Sequence, residues 1–140
     1  MKFVFVTILG FILQQQATAI TLTVQVAPVK TDKGHIVAAL YKSADSWLES
    51  DQVYKYLKQK AVIKNATFVF EELPPGTYGV SIIHDENDNS KLDMQWLPPS
   101  PEEAYGTSNN KSGFGKPDWD DAILNISKNR EIEVTLKYPD

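Results

Sequence analysis

Apolar and polar residues alternate along Ile20-Thr-Leu-Thr-Val-Gln-Val26, with Ile20, Leu22, Val24 and Val26 on one face. This period of two predicts a half-buried β-strand. Pro28 is expected to end it and Thr31–Gly34 to turn the chain. His35–Tyr41 is more continuously apolar and reads as a central strand. Asp45–Leu48 can open a short helix with Trp47 and Leu48 as its buried pair. Gln52–Lys60 is ambiguous: Val53, Tyr56 and Leu57 have helical spacing, yet the segment also suits a loop leading into a strand at Ala61–Ile63. Asn65 predicts a turn and Thr67–Phe70 a strand. Leu73–Tyr78 reads as a tight connection in which Pro presets φ and Gly76 tolerates a positive φ. Tyr78–His84 forms the next strand.

The alternation stops between Asp85 and Pro117, a polar stretch rich in Asn, Pro, Gly and Ser, regular only near Met94–Leu97. A segment of this length without its own elements is a functional or flexible loop. Asp118–Leu124 has room for one helical turn. Glu131–Tyr138 closes the chain as a strand with Ile132, Val134 and Leu136 inward. About seven short strands, one long irregular loop and at most one short helix predict an all-β fold, an antiparallel β-sandwich.

Composition narrows the chemistry. The chain has 140 residues, a formal charge of −4 and no cysteine, which removes disulfides, thiolate metal sites and cysteine nucleophiles. The acidic balance, with no run of Lys or Arg, speaks against nucleic acid or an anionic membrane as partner. Lys2, the apolar stretch Phe3–Leu13 and the small-x-small pattern Ala17-Thr-Ala19 fit a cleaved signal peptide over residues 1–19. The apolar stretch is short for a membrane span, which takes about 20 residues. The expectation is one exported domain, residues 20–140, periplasmic or secreted, with no membrane span after cleavage.

The densest chemistry lies in Asp85-Glu-Asn87-Asp-Asn89-Ser-Lys91-Leu-Asp93. Oxygen side chains at the first, third, fifth and ninth positions, with the backbone carbonyl of Lys91 at the seventh, match the first part of a calcium loop. The sixth position is Ser90 where such loops carry glycine, and the twelfth is Trp96 where they carry a bidentate Glu. A complete site therefore needs completion from downstream, with Glu103 and Asn109 as candidates. The competing reading is an Asn/Asp-rich turn shaped by local bonding.

Trp96, Tyr105 and Trp119 lie in or beside the long loop. They are candidates to grip a glycan or a cell-envelope protein, against the plainer role of tethering the loop to the sandwich. His84 and His35 show no metal-ligand spacing, and the chain lacks a G-x-S-x-G elbow. The expectation is a non-enzymatic module, with a hydrolase as the weaker alternative.

Two resemblances follow. Phe68-Val-Phe70-Glu-Glu-Leu73-Pro-Pro-Gly76-Thr-Tyr78-Gly-Val80 resembles the strand–turn–strand of transthyretin-like and carboxypeptidase-regulatory-like β-sandwiches. More closely, His84–Asp93, Glu103–Asn110 and Gly115–Ala122 together resemble an uncharacterised secreted bacterial family, domain of unknown function 2141. Members typically read H-D-x-N-x-N-G-x-L-D and then P-x-E-x-Y-G-F-S-N-N. This chain departs at Ser90, where glycine is usual, and at Thr107, where an aromatic is usual. The resemblance implies an exported β-sandwich without an established activity, and loop and strand rather than helix at Gln52–Lys60.

Overall fold

The computed structural model describes residues 2, 10, 12, 19–90, 94–96, 99–111 and 116–140, with backbone alone at 94–96 and 99–101. Two sheets stack as a sandwich. The first has the order β10-β1-β4, from β1 (Ile20–Val29), β4 (Lys64–Leu73) and β10 (Arg130–Thr135). The second has the order β3-β2-β5-β8, from β3 (Lys55–Lys60), β2 (His35–Tyr41), β5 (Gly76–Asp85) and β8 (Tyr105–Thr107). β9 (Leu124–Ile126) joins the first part of β5, and β6 (Met94–Trp96) pairs with β7 (Pro99–Pro101) as a hairpin. The pairings are antiparallel except that of β1 with β10, which is parallel.

The predicted alternation decides the core. Ile20, Leu22, Val24 and Val26 of β1 face Ala66, Phe68 and Phe70 of β4 and Val134 of β10 within one buried cluster. Ile36, Ala38 and Leu40 of β2 and Tyr78, Val80 and Ile82 of β5 complete that cluster from the other sheet. β2 is central, as its apolar run predicts, and both of its faces are covered. A second, smaller cluster of Ala39, Tyr41, Trp47 and Ala122 lies on the other face of β2, with Trp119 packed against it.

Several boundaries depart from expectation, each for a physical reason. β1 runs through Pro28 to Val29 because a register shift against β4 between Val26 and Val29 accommodates it. The ambiguous segment folds as strand β3 at Lys55–Lys60, and 61–63 is the connection to β4. Its Leu57 packs on the core while Tyr56, Lys58 and Lys60 face out. Asn65 lies inside β4 rather than in a turn. Ser43–Asp51 forms successive turns with no helix, although Trp47 is buried as expected. Gly76 already belongs to β5 and is not left-handed; the left-handed residue of that connection is Glu72 (φ 57°). The long polar stretch supplies β6, β7, β8 and a single 3₁₀ turn, Ser108–Asn110, while helix α1 (Trp119–Ala122) is the one helical turn expected. Strand pairing with β5, rather than local alternation, makes β8 and β9 strands.

Candidate functional site

The 85–90 loop leaves β5 at one end of the sandwich, and Asp85 organises it. Its carboxylate, 1% exposed, accepts the Asn89 N–H at 3.2 Å through Oδ1 and the Ser90 N–H at 2.7 Å through Oδ2. Asn87 Oδ1 accepts the same Asn89 N–H at 3.3 Å. Asp88 and Ser90 are left-handed, with φ of 56° and 61°. Ser90 thus adopts the backbone that the glycine usual at this position would provide. The approach of the neighbouring turn depends on Gly34 (φ 63°): a Cβ there would collide with the Asp85 carbonyl and lie 2.8 Å from the Glu86 backbone.

Register brings a second acid to this place. β5 pairs with β8 through Ile83 and Tyr105, and the His84 N–H bonds the Ala104 carbonyl at 2.9 Å. Glu103 is the next residue, in the bend just before β8. His84 and Ala104 face the core, and Asp85 and Glu103 beside them are buried, 1% and 7% exposed. A row also runs across three strands, because Asp85 pairs with His35 and His35 with Lys60. His35 Nδ1 meets Asp88 Oδ1 at 2.5 Å. Sequence spacing gives no signal for this row; only strand register assembles it.

The other predicted residues divide. Asn109 lies away from the loop: its Nδ2 donates to the Asp121 carbonyl at 3.0 Å and the Ile123 carbonyl at 2.9 Å. Lys91, Asp93 and the Trp96 side chain lie outside the described residues. Trp119 turns inward and meets Trp47 edge-on at 5.5 Å. Tyr105, half-buried, exchanges backbone bonds with Lys137 at 3.2 and 2.9 Å. Among the described residues no three His, Asp or Glu side chains form a group able to hold a metal ion. Of the residues predicted as donors, Asp85, Asn87, Asn89 and Glu103 lie near this loop among the described residues.

His84 is fully buried on the inner face. Its Nε2 donates to the Lys33 carbonyl, which can only accept, at 2.8 Å. Its Nδ1 lies 2.8 Å from the Tyr138 hydroxyl, which accepts the Lys30 N–H at 3.0 Å, and 3.9 Å from Glu86 Oε1. Both ring nitrogens are engaged in joining β5 to the β1–β2 turn and to the C-terminal segment. Burial raises the pKa of the Tyr138 phenol, partly offset by the Lys30 N–H.

Ser108 and Asn110 act at the other end of the long stretch. Ser108 Oγ accepts the Val80 N–H at 3.0 Å, between the stretches of β5 paired with β8 and β9, and donates to the Ala122 carbonyl at 2.5 Å. The Asn110 amide donates to the Glu133 carbonyl at 2.8 Å and accepts the Thr135 N–H at 2.7 Å, standing in for a strand partner along β10. A shallow surface depression lined by Thr21, Thr23, Asn129, Arg130 and Glu131 lies on the first sheet, apart from these residues.

No curated protein and no solved structure matches the chain. A family profile described as an uncharacterised protein conserved in bacteria matches residues 24–134, from the first core strand to the last. With the two-sheet fold and the motifs above, the chain belongs to that family, DUF2141.

Proposed function

We propose that this chain is an exported, non-enzymatic binding module of the bacterial cell envelope whose 85–93 loop holds a calcium-like cation. The donor set is all oxygen, the chemistry of a hard cation. Asp85, Asn87 and Asn89 supply side-chain oxygens, with the carbonyl of Lys91 and the carboxylate of Asp93 following in the loop. Glu103 completes the shell from the bend before β8.

The observation that carries this reading is the bond from the His84 N–H to the Ala104 carbonyl, which brings the buried Glu103 near the buried Asp85. Carboxylate oxygens gathered in one place are the ligands a hard cation takes. Asp85 bonds two amides of its own loop, so the loop is curled before the ion arrives. Affinity in the 10⁻⁴–10⁻³ M range, about that of extracellular modules, matches a loop with a serine at the glycine position. The full engagement of His84 supports a binding role over a hydrolytic one. Isothermal calorimetry with calcium is the test: saturable heat lost in Asp85→Ala supports the site, and no heat at millimolar calcium removes it.

A further inference from the structure

The acidic total hides a local excess of positive charge. Between Asp51 and Glu71 the chain carries Lys55, Lys58, Lys60 and Lys64 and no acid. Edge strand β3 and the turn after it place this tract on the surface. Tyr56, Lys58 and Lys60 project from the outer face of β3, and Tyr56 is 50% exposed. At the tip, Val62 and Ile63 are 64% and 55% exposed, flanked by Lys60 and Lys64.

Two adjacent large aliphatic side chains on this turn thus stay more than half exposed. Gln59 Nε2 donates to the Thr67 carbonyl at 3.1 Å and Lys55 Nζ to the Glu71 carbonyl at 2.7 Å, so β3 side chains already bind backbone along β4. Among the acids of the adjoining turn, Asp88 is held by His35. The 61–64 turn joins that end through the Ala61 N–H, which bonds the Gly34 carbonyl at 3.0 Å.

We propose that the 61–64 turn and β3 dock this domain on an anionic lipid bilayer. Val62 and Ile63 enter the acyl boundary, Lys60 and Lys64 reach the phosphates with their stems along apolar surface, and Tyr56 lies at headgroup level. Charge complementarity selects an anionic partner. The aliphatic pair selects a bilayer over a soluble polyanion, which has no apolar interior to receive it.

The test uses the chain from Ile20 onward, which contains every residue of the two buried clusters. It is run in EDTA, so that the outcome is independent of the cation reading. Co-sedimentation is measured with vesicles of phosphatidylcholine alone and with added phosphatidylglycerol. Binding is expected only to the anionic vesicles. Each of Lys58→Gln, Lys60→Gln and Lys64→Gln is expected to weaken it about fivefold, and Val62→Ser with Ile63→Ser to weaken it further. The chain has no cysteine, so Ile63→Cys accepts a single environment-sensitive dye, whose emission should shift blue on binding. Circular dichroism verifies that each variant is folded. Equal binding of folded wild type and variants, no dye shift, or binding to dextran sulfate without binding to vesicles would each overturn the proposal.

Discussion

The two ends of the long polar stretch are made of the same residue types and serve opposite purposes. In 85–90, the Asp85 and Asn87 carboxylate and amide oxygens receive backbone N–H groups of their own loop. In 108–110, Ser108, Asn109 and Asn110 reach backbone groups of β5, β10 and the α1–β9 segment. The first arrangement shapes a concave, oxygen-lined loop. The second replaces missing strand partners and joins the sheets. Composition alone does not separate a site from a staple; the sequence distance of the bonds does.

The contrast can be broken from either side. Gly34→Ala should be the most damaging change at the loop end, because a left-handed backbone and a collision with the Asp85–Glu86 backbone coincide there. A loss of about 2–4 kcal/mol in urea unfolding is expected, together with loss of the calcium heat. Ser108→Ala strips partners from the buried Val80 N–H and from the Ala122 carbonyl. It should cost about 2–3 kcal/mol in the same assay while the folded protein keeps its calcium heat unchanged. If both variants lose the heat equally, the two ends are not separable.

Ser90→Gly sharpens the comparison in the opposite direction. Ser90 sits at φ 61°, where glycine avoids the Cβ penalty, so the variant should gain about 0.5–1 kcal/mol and bind calcium more tightly. The smallest effect is at alkaline pH. Burial raises the phenol pKa values of Tyr41, Tyr78 and Tyr138. The folded protein then holds protons that the unfolded chain has released, so the stabilisation is full below the ordinary tyrosine value and declines as pH rises through it. A urea midpoint that falls above about pH 10, and falls less in Tyr41→Phe, checks this.

The staple end explains what the sequence made legible. Strict alternation in β1 and β4 and the continuous apolar run of β2 follow from one-sided and two-sided burial, so these strands are readable directly. β3 was obscured because an edge strand shows one inward face carrying only Leu57 as a large apolar residue, with lysines outward. β8 is Tyr-Gly-Thr, and its strand character comes from pairing with β5; Gly106 is needed because a Cβ would meet the Thr135 carbonyl at 2.5 Å. The oxygen-rich spacing of Asp85, Asn87 and Asn89 is visible in the sequence itself. The position of Glu103 required register, and the distant bonds of Asn109 required the fold. The inward packing of Trp119 depends on Gly79, where a Cβ would lie 2.7 Å from the Trp119 ring and 2.8 Å from that of Trp47.

The most direct test of the cation site is the melting midpoint of wild type, Glu103→Gln and Asn109→Ala, each with millimolar calcium and with excess chelator. The account predicts that calcium raises the midpoint of wild type and of Asn109→Ala and leaves that of Glu103→Gln unmoved. A wild-type midpoint indifferent to calcium, or a Glu103→Gln midpoint that rises as far as wild type, would contradict it.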